Sequence, residues 1–189
     1  MLRATSELIE KQGYERTSMA EIAAQAGIGT GTLYHHFGDK RAILLELIDE
    51  WGDRLAAGRR SDLQLEAFMA RDPRAAVAGI LRRVYERVQR GNWLYAEIFR
   101  LLDRDAEVRR RYQHMEHAGA ELLAGMIEFG QRRGLLRRKP DPMTAGFLML
   151  NAIELLVGHL VRHERPASDV ERVLEELTDM LSRYLVEDV

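Results

Sequence analysis

Residues 17–40 read TSMAEIAAQAGIGTGTLYHHFGDK, and this stretch decides the fold that the sequence predicts. Ser18 and Glu21 form a Ser-x-x-Glu capping box, which predicts the start of a short helix. Gly27-Ile28-Gly29 predicts a tight turn, because two glycines in three residues permit backbone angles that a side chain would resist. A second short helix is predicted from Thr30 to Phe37. Two short helices joined by a glycine turn are the outline of a helix-turn-helix.

The distribution of side chains along these two helices fits that outline. In a helix-turn-helix the second helix lies in the major groove of DNA, which is about 12 Å wide, while the first braces against the backbone. Apolar residues should face the supporting helices, and the candidates are Ile22, Ala23, Ala26, Ile28, Leu33 and Phe37. The opposite side should carry small or hydrogen-bonding residues, and the candidates are Thr30, Gly31, Thr32, Tyr34 and His35. The outline alone is weak evidence, because such helix pairs occur in many α proteins.

The rest of the chain shows helical periodicity nearly throughout, and no stretch alternates cleanly enough for a strand. The other predicted helices cover residues 2–13, 40–57, 73–90, 93–102, 106–133, 142–163 and 168–186. Predicted caps are Asp39, Asp72-Pro73, Asp141-Pro142 and a second capping box of Ser168 with Glu171. The predicted fold is all-α with about nine helices, divided into a helix-turn-helix domain over residues 1–57 and a second helical domain over residues 58–189.

Composition excludes several classes of protein. The chain has 189 residues, 46% hydrophobic and 31% charged, and no cysteine. It is long enough for one domain or two small ones and too apolar to be disordered. A disulfide framework, a thiolate nucleophile and a cysteine-ligated zinc are excluded. No segment reaches the roughly 18 uninterrupted apolar residues of a membrane span, and no signal peptide opens the chain, so we expect a cytoplasmic protein without a membrane partner.

Charge is distributed unevenly along the chain. The net charge is −2, but residues 59–139 carry 18 basic and 11 acidic side chains. Excess basic charge often indicates a nucleic-acid partner, yet here it falls outside the predicted helix-turn-helix. Arg109, Arg110 and Arg111, together with Arg132 and Arg133, are therefore interpreted as solvated helix faces.

The residue types in this motif are more specific than its helix-turn-helix outline. TSMAEIA at residues 17–23, AGIGTGTLYHHF at residues 26–37 and then Asp39-Lys40 closely resemble the TetR family of bacterial transcriptional regulators. The resemblance is specific over about residues 5–50, and the helical remainder agrees with it. It implies a homodimer that reads a palindromic operator in double-stranded DNA, and a carboxyl-terminal domain that releases the DNA when a small-molecule effector is bound.

The resemblance also assigns roles to individual residues. The positions matched to DNA contacts are Thr17, Ser18, Thr30, Gly31, Thr32, Tyr34, His35 and Lys40. Thr17 and Ser18 would contact phosphate. Thr30, Gly31 and Thr32 would present backbone and hydroxyl groups to base edges, and Tyr34 and His35 would reach phosphates or bases. Lys40 would hold a phosphate, aided by the dipole of the helix that it starts. One charge is missing, since Gly29-Thr30 stands where the family often has serine followed by lysine or arginine.

The last two predicted helices point to a homodimer. The helix at residues 142–163 is apolar on most sides and must be buried on more than one face. The helix at residues 168–186 has an apolar stripe formed by Val170, Val173, Leu174, Leu177, Leu181, Tyr184 and Leu185. The resemblance implies that both helices pair with their symmetry mates in a four-helix interface, and burial within one chain is the alternative. A charge at Leu177 is accordingly expected to give monomers or aggregates.

Aromatic and methionine side chains in the middle helices predict an effector pocket. Such a pocket needs an apolar cavity with a few polar anchors, and methionine adapts to irregular cavities. The candidate ligand-binding residues are Trp93, Tyr95, Phe99, His114, Met115 and Phe129. Core packing is the alternative role for each of them. The predicted effector is mostly apolar, with an anionic effector as the alternative because Arg109, Arg110 and Arg111 are near in sequence.

An enzyme or a metal protein is the alternative from another class. His114 with His117, and His159 with His163, share helix faces as metal ligands on a helix can. The sequence has no Glu-x-x-His pair of the di-iron bundles and no glycine-flanked nucleophile elbow. We therefore expect no catalytic residue, no metal and no cofactor. A helical enzyme or metal-binding bundle that shares only the amino-terminal outline stays as the alternative, as does an activator or global regulator without an effector.

Overall fold

The computed structural model describes residues 1–62, 73–90, 92–163 and 165–186, and within these ranges every regular element is an α-helix. The first five helices are α1 (Leu2–Gln12), α2 (Met19–Ala26), α3 (Thr30–His36), α4 (Lys40–Asp62) and α5 (Pro73–Arg90). The others are α6 (Asn92–Leu101), α7 (Ala106–Arg132), α8 (Pro142–Arg162) and α9 (Ala167–Leu185). The prediction of an all-α fold with about nine helices is confirmed. The predicted cap at Asp72 lies outside the described residues.

Local side-chain caps determine where two of the helices begin. Asp39 Oδ1 accepts a hydrogen bond from the N–H of Ala42 at 2.7 Å, at the start of α4. Asp141 Oδ2 accepts one from the N–H of Thr144 at 2.8 Å, and Pro142 occupies the first turn of α8. Each cap satisfies an N–H that lacks a partner inside the helix, as the sequence predicted.

The predicted capping box of Ser168 and Glu171 is wrong. α9 begins at Ala167, behind Pro166, and has no side-chain cap. Because the proline ring fixes φ near the helical value, the helix starts early and Ser168 lies inside its first turn. The Glu171 carboxylate instead accepts a hydrogen bond from Arg82 of α5 at 2.7 Å.

The chain divides into two compact units, each discontinuous in sequence. The first unit is made of Met1–Arg54 and Trp93–Tyr112, so it joins α1, α2, α3 and most of α4 to α6 and the start of α7. Its core includes the buried side chains Ile9, Ile22, Leu33, Ile43, Leu47, Ile48, Ile98 and Val108. Trp51 meets Tyr95 edge to face, with ring centroids 5.8 Å apart. The predicted domain boundary at residue 58 stays a prediction.

The second unit is made of the described residues within Leu55–Asn92 and Gln113–Val189. α9 packs on α5 and α8, and α8 also packs on α5. The predicted stripe of α9 faces this core, since Val170, Leu174, Leu177, Leu181 and Leu185 are buried. Leu177 is only 4% exposed in a single chain. The expectation that a charge at Leu177 gives monomers or aggregates stays a prediction, and the burial of Leu177 means that the charge would also disrupt the chain's own core.

Gly146 lets α8 approach α7 closely within the second unit. A Cβ atom at this position would lie 2.6 Å from the carbonyl oxygen of Ala120 and 2.9 Å from the backbone nitrogen of Ala124. Backbone atoms cannot move aside as a flexible side chain can, so only glycine fits at this crossing.

α8 is the most apolar helix of the second unit. Residues 142–161 are long and apolar enough to cross a membrane by length and composition, and half of that stretch is buried inside the chain. A core helix of a folded domain has the same composition, and the burial of α8 against its neighbours accounts for its apolar character.

Candidate DNA-binding surface and effector cavity

α2 and α3 form the predicted helix-turn-helix. Ser18 Oγ accepts a hydrogen bond from the N–H of Glu21 at 3.3 Å, and Glu21 Oε2 accepts one from the N–H of Ser18 at 2.8 Å, so the predicted capping box is confirmed. Gly27 follows α2 with φ at 68°, in the left-handed region that favours glycine. The buried side chains Met19, Ile22, Ala23 and Leu33 hold α2 between α1 and α3.

The outward side of α3 is polar and accessible. Exposed residues on this helix are Thr30, Gly31, Thr32, Tyr34, His35 and His36, whereas Leu33 is buried behind them. Tyr34 is 52% exposed. The sequence of α3, TGTLYHH, has no carboxylate to repel phosphate. All five residues of α3 that were matched to DNA contacts therefore face solvent, as readout of base edges requires.

Thr17 and Ser18 differ in accessibility. Thr17 is only 2% exposed, and its Oγ1 donates a hydrogen bond to the carbonyl oxygen of Gly13 at 2.9 Å. Its hydroxyl group is thus committed to the turn between α1 and α2. Ser18 is exposed, although its Oγ donates to Glu21 Oε2 at 2.7 Å. Of these two predicted phosphate contacts, only Ser18 lies at the surface.

Lys40 holds the turn that precedes α2. Its Nζ donates hydrogen bonds to the carbonyl oxygens of Tyr14 at 2.7 Å and Glu15 at 3.2 Å, and it lies 4.4 Å from the centroid of the Tyr14 ring. Burial, followed by the carboxylates of Glu97, Glu15 and Asp39, raises the pKa of Tyr14 to about 12. The ammonium group of Lys40 therefore binds backbone carbonyl groups of the chain itself, and its predicted contact with phosphate stays a prediction.

Ion pairs between distant parts of the sequence join the helices of the first unit. Arg41, at the start of α4, donates to both carboxylate oxygens of Asp105 at 2.7 and 2.8 Å. Arg100 of α6 pairs with Glu15 at 2.8 Å, next to the turn that Lys40 holds. A bidentate arginine–carboxylate pair fixes orientation as well as distance. These contacts hold α6 and the start of α7 against α4 and the turn before α2.

Asp105 also starts α7. Its Oδ1 accepts hydrogen bonds from the N–H groups of Glu107 at 2.9 Å and Val108 at 3.2 Å. The hydrogen bond from Arg41, aided by these two backbone groups, lowers the pKa of Asp105 to about 2. One carboxylate therefore caps a helix and ties it to α4, and sequence reasoning missed both roles.

The interpretation of residues 109–111 as a solvated face is wrong for Arg111. The Arg111 side chain is 24% exposed, and its Nε lies 3.2 Å from Asp49 Oδ1 of α4. Arg109 Nε donates to the carbonyl oxygen of Leu102 at 2.8 Å. Arg110 is exposed and pairs with Glu107 of its own helix at 2.6 Å, as a solvated arginine does.

An apolar cavity lies inside the second unit. It has a volume of about 40 Å³, and all eleven residues that line it are valine, isoleucine, leucine or methionine. They come from α5, α7, α8, α9 and the α7–α8 connection, and they include Leu81, Met126, Leu136, Met149, Ile153 and Leu185. A wall without polar groups can hold an aliphatic group and offers nothing to a charge.

The predicted effector residues do not line this cavity. Trp93, Tyr95 and Phe99 belong to the first unit, and His114, Met115 and Phe129 belong to the second. Tyr95 is 1% exposed and packs against Phe99 with ring centroids 4.7 Å apart. His114 is exposed. Sequence reasoning missed the lining because it comes from five separate segments, and the roles of the six predicted residues stay predictions.

The histidines predicted as possible metal ligands lie on α7 and at the end of α8. His117 Nε2 lies 3.3 Å from Glu121 Oε1, and the rings of His159 and His163 are 4.3 Å apart. Among the residues that the structure describes, no group of three or more histidine, aspartate or glutamate side chains is placed to hold a metal ion.

α2 and α3 are a capped helix pair, and α3 has polar residues on its exposed side and an apolar residue on its buried side. This arrangement is that of a helix-turn-helix DNA-binding protein. The profile "Bacterial regulatory proteins, tetR family" matches residues 1–47. The profile "Tetracyclin repressor-like, C-terminal domain" matches residues 96–185. The chain therefore belongs to the TetR family, whose members are DNA-binding transcriptional regulators that act as dimers with small-molecule ligands.

Relatives are similar along nearly the whole chain. The probable helix-turn-helix transcriptional regulator ArpR of Pseudomonas putida is 28% identical, over 96% of this chain and 89% of its own length. A TetR-family regulator from Mesorhizobium loti has a TM-score of 0.83 at 20% identity, over 98% of this chain and 94% of that one. Bacillus subtilis FadR in complex with stearoyl-CoA has a TM-score of 0.75 at 20% identity, over 96% of both chains. The two structures support the fold, and the predicted family and function as a transcriptional regulator are confirmed.

Proposed function

We propose that this protein is a dimeric repressor that binds a palindromic operator through α3 and is released by a small-molecule effector bound in its second unit. Residues 1–57 would carry DNA binding, and residues 58–189 would carry effector binding and dimerisation. The observation that supports DNA reading most directly is the exposed polar side of α3, anchored from behind by the buried Leu33. Such a surface matches the groups that base edges and phosphates present.

The operator can be found by DNase I footprinting of the region upstream of the protein's own gene. We expect a protected near-palindrome, because a two-fold symmetric dimer presents two copies of α3 to two half-sites. Tyr34→Ala should need at least about tenfold more protein than the wild type to give the same protection. Arg172→Gln, which changes an exposed residue of α9, is the control and should protect normally. Binding without any sequence preference at moderate salt would contradict the proposal.

The surface that supports dimerisation is apolar and lies on α8 and α9. Phe147, Leu148 and Leu155 of α8 and Met180 of α9 are large apolar side chains that are exposed in a single chain, with Leu148 at 54%. Exposed apolar groups on neighbouring helices favour a protein interface, and a self-complementary pair of helices suits two-fold symmetry. We therefore propose the homodimer through residues 142–163 and 168–186, with this outward face as the contact.

Leu148→Glu tests that interface without touching the core. The substitution would bury an unpaired carboxylate in a dimer and would leave the folded monomer intact. Sedimentation should show monomers with unchanged helical content. Leu135→Glu is the matched control, because Leu135 is 43% exposed and lies outside both helices. A Leu148→Glu variant that sediments as a dimer would move the interface elsewhere.

The effector that we propose carries an aliphatic chain, which enters the cavity of the second unit. The entirely apolar lining supports this class, and so does the structural relative that was solved with stearoyl-CoA. A cavity of about 40 Å³ must widen before it holds a long chain. A ligand releases DNA only if it favours a conformation that binds DNA poorly, and widening of the cavity would be that change. Met126 and Met149 make widening easier, because methionine repacks readily.

We propose no catalytic activity and place the protein in the cytoplasm, where its DNA lies. The similar proteins described above are transcriptional regulators. A second proposal for where the effector binds keeps the six residues that the sequence predicts as ligand-binding: Trp93, Tyr95, Phe99, His114, Met115 and Phe129. Phe99→Ala separates the two, since it should leave the affinity for an aliphatic ligand unchanged if only the cavity holds the chain.

A further inference from the structure

We propose that a basic segment beside the cavity binds the head group of the effector, so that the effector is an amphiphile with a polyanionic head. This basic segment consists of Arg132, Arg133, Arg137, Arg138 and Lys139, on the α7–α8 connection and the end of α7. The inference rests on the proposed function, because it extends the aliphatic cavity to the charged end of the same ligand.

Most of the charge in the basic segment is uncompensated. All five residues are exposed. Arg132 lies 3.7 Å from Glu128 of its own helix, and the guanidinium of Arg133 lies 5.1 Å from the ring centroid of Phe129. Within the described part of the chain, no ion pair joins Arg133, Arg137, Arg138 or Lys139 to a carboxylate. Four exposed cations within seven residues create a positive potential that attracts anions.

Two carboxylates near this segment already have partners. Asp141 follows Lys139 by two positions, and Asp179 lies beside Arg183, whose carbonyl oxygen accepts a hydrogen bond from Arg137 at 3.4 Å. Asp141 Oδ2 accepts the N–H of Thr144 at the start of α8. Asp179 Oδ2 pairs with Arg183 of α9 at 2.8 Å. These two carboxylates have other partners, and the positive charge of the segment is left for a ligand.

The basic segment adjoins the wall of the cavity. Leu136 lines the cavity and directly precedes three of the cations. The N–H of Arg137 donates to the carbonyl oxygen of Leu185 at 2.9 Å, and Leu185 also lines the cavity. Gly130 makes room for this arrangement, since a Cβ atom there would lie 2.6 Å from Leu136 Cδ1. The apolar wall at Leu136 and the exposed positive charge at Arg137 are therefore adjacent in the chain.

The cavity and the basic segment would bind different parts of one ligand. The cavity accepts methylene groups and cannot hold a charge without a large desolvation cost. Arginine guanidinium groups bind phosphate oxygens through paired N–H donors, and several uncompensated cations favour a head with several negative charges over a single carboxylate. An acyl chain joined to a phosphate-bearing head satisfies both requirements.

Two probes with the same chain and different heads test the inference on the full-length dimer. Lauroyl-CoA carries a polyanionic head, and lauroylcarnitine carries the same acyl group on a zwitterionic head. Isothermal titration calorimetry should show that Arg138→Gln/Lys139→Gln weakens lauroyl-CoA binding about fivefold or more, as expected for two surface charges. Binding of lauroylcarnitine should change less than about twofold, and higher salt should weaken only lauroyl-CoA.

Arg165→Gln/Arg172→Gln is the matched control. It removes two exposed arginines at the amino-terminal end of α9, whereas the basic segment adjoins Leu185 at the other end. This variant should bind both probes as the wild type does. An Arg138→Gln/Lys139→Gln variant that keeps its affinity for lauroyl-CoA, or loses both probes equally, would overturn the head-group site and leave the cavity proposal standing. A wild type that binds neither probe would overturn the aliphatic effector itself, and the head-group site with it.

Discussion

In the first unit, directional polar contacts between distant residues surround the helix-turn-helix, whereas the second unit is packed around an apolar cavity, although Arg82 of α5 also pairs with Glu171 of α9. In the first, Arg41 binds Asp105 in bidentate fashion and Lys40 holds two carbonyl groups of one turn. In the second, the lining of the cavity includes no polar side chain. Directional contacts fix one geometry, as the reading of DNA requires. Apolar contacts lack direction, so the second unit can repack around a ligand.

The largest effect on stability should follow a truncation in the first unit. Leu33 is fully buried behind the outward side of α3, so Leu33→Ala should lower the free energy of unfolding by about 2–5 kcal/mol. Met126→Ala should lower it by less, because Met126 is half-buried and already borders a cavity. Urea unfolding monitored by circular dichroism measures both values. Equal losses in the free energy of unfolding would show that the surroundings of Leu33 and Met126 are packed equally tightly. That result would contradict the contrast between the two units.

A smaller effect should follow the loss of the carboxylate that links α4 to α7. Asp105→Asn should lower the free energy of unfolding by about 1 kcal/mol at neutral pH, since it weakens a helix cap and removes an ion pair. The pKa of Asp105 in the folded protein is about 2, below its ordinary value of 3.8. Its contribution is therefore complete above about pH 4 and lost as the pH falls towards 2.

The difference in stability between wild type and Asp105→Asn should accordingly shrink between pH 4 and pH 2. Asp103→Asn, at an exposed position two residues away, is the control and should follow the wild type at every pH. A difference that is constant over this range would mean that the ion pair with Arg41 contributes nothing to the folded state.

The smallest effect on stability should come from Lys40. Lys40→Met removes two charge-assisted hydrogen bonds at a partly exposed site, and we expect a loss of about 1 kcal/mol or less in the free energy of unfolding. If the ammonium also reaches a phosphate, the slope of log K for operator binding against log salt should shrink by about 1. Lys11→Met, on the exposed side of α1, is the control. An unchanged slope would remove Lys40 from the DNA contacts.

Features that depend on neighbouring residues could be predicted from the sequence. The capping box of Ser18 and Glu21, and the caps at Asp39 and Asp141, involve groups within three residues of each other, so each pattern specifies its own geometry. The periodicity of buried residues likewise predicted the helices. The error at Ser168 arose where two local signals compete, because Pro166 starts α9 before the serine can cap it.

Features that depend on distant residues could not be predicted in this way. Arg41 and Asp105 are 64 positions apart, and nothing in either local sequence indicates the partner. The cavity is formed by five segments that meet only in the folded chain. Clustering of aromatic residues predicted a pocket near Tyr95, but that side chain packs in the core of the first unit. Aromatic side chains fill cores as readily as they line pockets, so composition alone does not locate a ligand.

The affinity of Tyr34→Ala for operator DNA tests the central claim, that the outward side of α3 reads the operator. Fluorescence anisotropy of a labelled operator, identified by the footprint, would be measured for the wild type and the variant at one salt concentration. Tyr34 is 52% exposed, so the variant should keep nearly the melting temperature of the wild type. It should bind at least about tenfold more weakly, one good contact contributing about 1–3 kcal/mol. A variant that melts at the same temperature and binds the operator as tightly as the wild type would contradict the account.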